Sequence, residues 1–349
     1  MTADVEALDL GAPEPAEAGA AVAAPVLRAG SGWRVVARKE LADHISSARF
    51  YVLLLMLGAA AIVPLYFASD AIRSVASQIE DARNAFLVLF IYAPSDLPIP
   101  PVFGFVGIVA PLLGVAFAFD AINSERADGT LPRLLSQPIY RDDVVNGKFA
   151  AGLAVITIVL VAVVGVISGF GIVRLGIVPS LGEVVRLVAW LGLSVIWVSL
   201  WLAFGLLLSV VIRRAATAAL VGFGIWLLVA IFGQLIVGLI AGVVAPVANA
   251  ATIDEALSLT VLSETILRLL PLTLFQEASR VLLNPSVTTV STPSTIGQIQ
   301  QWQQQAEGQV LSFDQSLLLI WPHVVALVAL TAICFAAAYI WFMRQEVRA

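Results

Sequence analysis

Charge is scarce in this chain: only 12% of the 349 residues are Asp, Glu, Lys or Arg, about half the share found in soluble domains. The single cysteine, Cys334, lies in an apolar run. It excludes an intrachain disulfide and reads as a small core or lipid-facing residue. The two histidines, His44 and His323, lack the companions a metal needs, and no His-Glu-x-x-His occurs. A phosphate-cradling G-x-x-x-x-G-K-[ST] is also missing. At Gly147-Lys148 the first glycine's place is held by Asp142, and Phe149 follows. The chain is therefore not expected to bind ATP by itself. A secretory signal is not expected either, because Asp4, Glu6, Asp9, Glu14 and Glu17 precede the first basic residue, Arg28, the reverse of a signal's positive start. Residues 1–30, rich in Ala, Pro and Glu, read as a disordered acidic tail left on the side of synthesis.

What the chain has instead is apolar length. Hydrophobic residues make up 60% of it, and the mean hydropathy is +0.96. A helix crosses a ~30 Å hydrocarbon core with about 20 such residues. Six stretches qualify: 50–69, 97–119, 149–173, 187–212, 215 to about 243, and 315–343. Pro111 lies inside the second and predicts a kink. The fifth is expected to leave the membrane at Pro246. No ionisable residue sits mid-span; Asp120 closes the second stretch and His323, after Trp321-Pro322, reads as interfacial. That argues against a proton-coupled carrier and against an intramembrane protease. Gln234, the most polar group deep in a span, suits an interhelical hydrogen bond.

Orientation follows Lys and Arg. With the N-terminus inside, thirteen fall on cytoplasmic segments and six on outer ones. Both termini are then cytoplasmic, in a multi-pass protein of the plasma membrane. Trp33, Val36, Ala37, Leu41 and Ile45 form one face of an amphipathic helix before the first span, suited to anionic lipid. Phe86 to Tyr92 is too short to span and reads as an extension of the first hairpin or an interfacial anchor. The outer segment, 247–314, carries a second amphipathic helix over 253–270, then a Gln-rich stretch around Trp302 that reads as solvated. Trp190, Trp197 and Trp201, with Gly233, Gly238 and Gly242, are candidates for an interface or a lipid-facing path. A mostly apolar interior without charged residues suits a hydrophobic or amphipathic cargo.

The segment 120–148 differs from everything around it. Gly129-Thr130 offers a break and a hydroxyl cap, Pro132 suits a first helical turn, and Leu131, Leu134 and Leu135 give a short helix an apolar face before Pro138 stops it. A helix held at both ends in this way can dock in a partner's groove; an ordinary solvated loop is the other reading. The order Glu125-Arg126, Gly129-Thr130-Leu131, Leu134-Leu135-Ser136, Pro138-Ile139, Arg141 and Gly147-Lys148 resembles the signature of ABC transporter permeases of the type-2 exporter family. Within that family it is most similar to the permease of the nitrous-oxide-reductase maturation system. Pro132 and Tyr140 depart from the family pattern.

The resemblance implies an all-α integral membrane protein: a six-span permease domain over 31–349, an N-terminal interfacial helix, a cytoplasmic coupling helix between spans two and three, and outer amphipathic helices between spans five and six. It implies a separate ATP-binding subunit that carries ATP and magnesium, no cofactor in this chain, and pairing of two permeases as a homodimer or heterodimer. Membrane lipid is a partner and nucleic acid is not. The partner-coupling residues are then Glu125, Gly129, Thr130, Leu131, Leu134, Leu135, Pro138, Arg141 and Lys148, with Glu125 meeting a basic group of the partner and the leucines filling its groove. The implied function is ATP-driven export, the chain itself being no enzyme. A nontransporting subunit that passes ATP-driven motion outward needs the same segment.

Overall fold

The computed structural model describes residues 32–78, 86–92, 100–132, 139–287, 289–290 and 310–345. Every element among them is helical. The acidic tail, Leu134, Leu135, Pro138 and most of the Gln-rich stretch lie outside the described residues.

Helix α1 (Gly32–Ser46) meets α2 (Ala48–Gln78) at a bend of 65°. Ser47 makes the joint. Its hydroxyl donates to the His44 carbonyl at 2.6 Å and accepts the Phe50 amide at 3.3 Å, ending one helix and capping the next. A short α3 (Val88–Ile91) follows. It is no interfacial anchor: Phe86, Leu87, Leu89 and Phe90 are fully buried, and Phe90 meets the Trp190 ring edge-on.

The next span, Val102–Ala127, consists of α4 (Val102–Val109), α5 (Pro111–Ala118) and α6 (Asn123–Ala127). Pro111 interrupts it as expected, since proline has no N–H for the carbonyl four residues back. That carbonyl, on Gly107, accepts the indole N–H of Trp197 at 3.0 Å, and the adjacent Ile108 carbonyl accepts that of Trp226 at 2.8 Å. Backbone groups with no water to turn to must be satisfied by protein. Two tryptophans do so here.

Helix α7 (Arg141–Phe170) continues through a wide π turn, Gly171–Leu175, and α8 (Leu181–Val211) returns. Gly176, with φ 71°, lets the chain leave α7. Helices α9 (Ala215–Leu227) and α10 (Gly233–Val244) flank a second π turn, and the helix stops at Val244, just ahead of Pro246. Helices α11 (Ile253–Leu267) and α12 (Pro271–Leu283) fold against each other at 111°, and α13 (Phe313–Arg344) closes the chain. Five helices are long and apolar enough to cross a membrane, and the two bent pairs raise the limit to seven.

Helix α8 is the axis of the core, packed by α5, α7, α12 and α13. Trp190 and Trp197 are 0% and 1% exposed, so they serve packing and hydrogen bonding, not a lipid-facing path. Contact with α5 is backbone to backbone. A methyl group on Gly114 would stand 2.7 Å from the Leu202 nitrogen and the Val198 oxygen. The apolar face of α1 likewise packs on protein: Val36 is buried, and a methyl on Gly147 of α7 would lie 2.6 Å from its Cβ.

Candidate functional site

The described residues among those singled out in the connector between α5 and α7 gather at one end of the bundle. Helix α6 ends in a Schellman motif. Gly129, at φ 67°, donates to the Arg126 carbonyl at 3.3 Å, and the Thr130 amide donates to the Glu125 carbonyl at 2.9 Å. The Thr130 hydroxyl adds a 3.2 Å bond to the same carbonyl. This turn stands exposed from Ala127 to Thr130, whereas Leu131 behind it is buried. Leu131 thus packs into its own chain. Leu134, Leu135 and Pro138 are not among the described residues.

Glu125 finds its basic partner within the chain. Lys148 places its ammonium 2.8 Å from the Glu125 carboxylate and 2.9 Å from that of Glu40 on α1. The Lys148 side chain is 4% exposed, Glu40 13% and Glu125 18%. A nearly dry ammonium between two carboxylates joins three elements: α1, the connector and the start of α7. Removing one member strands the others, because an uncompensated charge in such a site is costly.

A second carboxylate ties the same elements. Asp143 accepts the Trp33 amide at 3.0 Å and the Tyr140 amide at 3.1 Å. It therefore satisfies free N–H groups at the starts of both α1 and α7, where the helix dipole also favours negative charge. Tyr140, one of the two departures from the family pattern, precedes α7, and its amide is held by Asp143.

The other root of the connector is fastened to α2 and α13. Arg49 pairs with Asp120 at 2.6 Å and donates to the Ala116 carbonyl at 2.7 Å. Asn123 is fully buried and donates to the Phe119 and Ile212 carbonyls. Arg126 donates to the Gln345 side chain, and Arg141 donates to the Gln345 carbonyl at 2.9 Å. Glu40, Asp143, Arg49 and Gln345 were not anticipated. Only Asp143, three residues after Tyr140 at the start of α7, carries a local signal; the others act across 67 residues or more.

The opposite end of the bundle is more ionic than the expected apolar interior. Glu277 and His323 are each 6% exposed and lie 2.8 Å apart, and Arg268 reaches the same Glu277 oxygen at 2.8 Å. His323 is thus buried and paired within the protein. Arg186, also 6% exposed, donates to the Leu282 carbonyl at 3.2 Å and the Ser316 hydroxyl at 3.0 Å. Glu183 accepts the Phe86 amide at 2.7 Å. Gln234 does make an interhelical bond, to Gln276 at 3.0 Å. Between α7, α8 and α13 runs an apolar groove of about 220 Å³, lined by Phe149, Leu153, Ile196, Val328 and Phe335. No cluster of three or more metal-ligating side chains occurs among the described residues.

The sequence profile described as "ABC-2 family transporter protein" matches residues 34–347. No curated protein matches the chain.

Proposed function

The chain belongs to the ABC-2 transporter family and is its multi-pass membrane component, a permease subunit and not itself a catalyst; on that premise we propose that it drives export by taking up the motion of a separate ATP-binding subunit through its connector. The observation that carries this reading is the Lys148 ion triad. It ties α1, α6 and the foot of α7 to one another while leaving the turn 127–130 exposed. A push on that turn is delivered to α5 and α7 instead of being absorbed by a loop.

In this reading the membrane is crossed six times, by α2, the α4–α6 span, α7, α8, the α9–α10 span and α13. The connector and both termini face the cytoplasm across the plasma membrane, α1 lies along the inner surface, and α11–α12 belongs to the outer side. Residues 31–349 form the permease domain, with the coupling segment at 120–148 and the outer segment at 247–314. Two permeases pair with two ATP-binding subunits, which bring ATP and magnesium. The subgroup of nitrous-oxide-reductase maturation permeases is the one whose connector this chain resembles most.

The test is a pull-down of the tagged chain from its native membrane in mild detergent, read by ATPase assay and mass spectrometry. A stoichiometric ATP-binding subunit should accompany it and be lost in Leu134→Asp, while the variant still inserts. If no ATPase accompanies the parent chain, the reading fails.

A further inference from the structure

Gln345, directly after α13, is bonded to three other elements. Its side-chain oxygen accepts from Arg126 of α6, its backbone carbonyl accepts from Arg141 of α7 at 2.9 Å, and its side-chain amide donates to the Val210 carbonyl at the end of α8, also at 2.9 Å. The Arg141 guanidinium lies over the Phe342 ring, 5.6 Å from its centre. Ending α13 requires none of this, because the Gln345 amide already closes the last turn onto the Phe342 carbonyl at 3.3 Å. Arg126 and Arg141 stand at the two roots of the connector. One glutamine therefore bridges both roots to two spans that are remote in sequence.

We infer that Gln345 is a positioning residue that hands movement of the connector directly to α13 and α8. The inference rests on the coupling reading above and extends it, since chain continuity alone would carry the motion only into α5 and α7. A neutral amide suits the task. It accepts from a cation and donates to a carbonyl at once, which neither a carboxylate nor an ammonium does.

The experiment uses the complex with its co-purifying ATPase in a Cys334→Ser background. Spin labels are placed at the exposed positions Leu318 on α13, Val173 at the end of α7 and Val243 on α10. Distances 318–243 and 173–243 are measured with and without vanadate-trapped nucleotide. Both are expected to shift in the parent. Gln345→Ala combined with Arg141→Ala, needed because the Arg141 bond is to the Gln345 backbone carbonyl and survives the first change alone, should abolish the 318–243 shift and keep the 173–243 shift. Arg126→Ala with Arg141→Ala, which cuts both connector-side bonds and leaves the bond to Val210, should do the same and carries the test if the Gln345 variant does not fold. Persistence of the 318–243 shift in these variants overturns the inference, and so does loss of both shifts, which would make the bridge a general support of the fold. If neither distance moves in the parent, the coupling reading itself falls and the inference with it.

Discussion

Lys148 shows how a residue can be legible in kind and hidden in role. The sequence marks it as the end of a signature, and the resemblance makes it a contact for another protein. In the structure it is the centre of a buried triad with Glu125 and Glu40. No local pattern reveals this, because Glu40 is more than a hundred residues away and its own neighbourhood reads only as one face of an amphipathic helix. The energetic expectation is specific. Lys148→Met keeps the length of the side chain but leaves two carboxylates facing each other, and should lower stability by about 3–5 kcal/mol. The triple variant with Glu40→Gln and Glu125→Gln should recover much of that loss. Thermal or denaturant unfolding in detergent, followed by intrinsic tryptophan fluorescence, measures both.

Among the elements, the α4–α5 break is the clearest case of partial legibility. Pro111 foretells an interruption, and one is there. What repairs it was not foreseeable, because Trp197 and Trp226 belong to helices whose rotation about their axes cannot be read from apolar runs. The repair defines a double-variant cycle. Trp197→Phe removes the donor to the Gly107 carbonyl and should cost about 1–3 kcal/mol as a buried acceptor goes unpaired. Pro111→Ala returns an amide four residues along the same helix, so the pair should lose less than the sum of the two single changes. Strict additivity in unfolding measurements would mean that the indole does not stand in for the missing amide. The amphipathic faces of α1 and α11 were readable as helices. Whether such a face meets lipid or protein was not, since both reward the same spacing.

For the molecule as a whole, hydropathy marked six stretches; five fall on helices long and apolar enough to cross a membrane, and the first, 50–69, falls in one of two bent pairs. It also suggested an interior without ions. The ions gather instead at one end of the bundle, where α12 folds back beside α8 and α13 and brings Glu277 against His323. Topology can be settled independently of function. In a Cys334→Ser background, cysteines at Asp128 and at Asp254, both exposed, should react with an impermeant maleimide from opposite faces, Asp254 in intact cells and Asp128 only after the membrane is opened. Labelling of both from one side would overturn the six-span arrangement. One further consequence concerns biosynthesis. Helix α1 is translated before α7, yet the carboxylate that holds its Trp33 amide lies 110 residues downstream, at Asp143. Until α7 has been translated, α1 has neither that acceptor nor the Lys148 counter-ion, so its docking must wait for a segment made more than a hundred residues later.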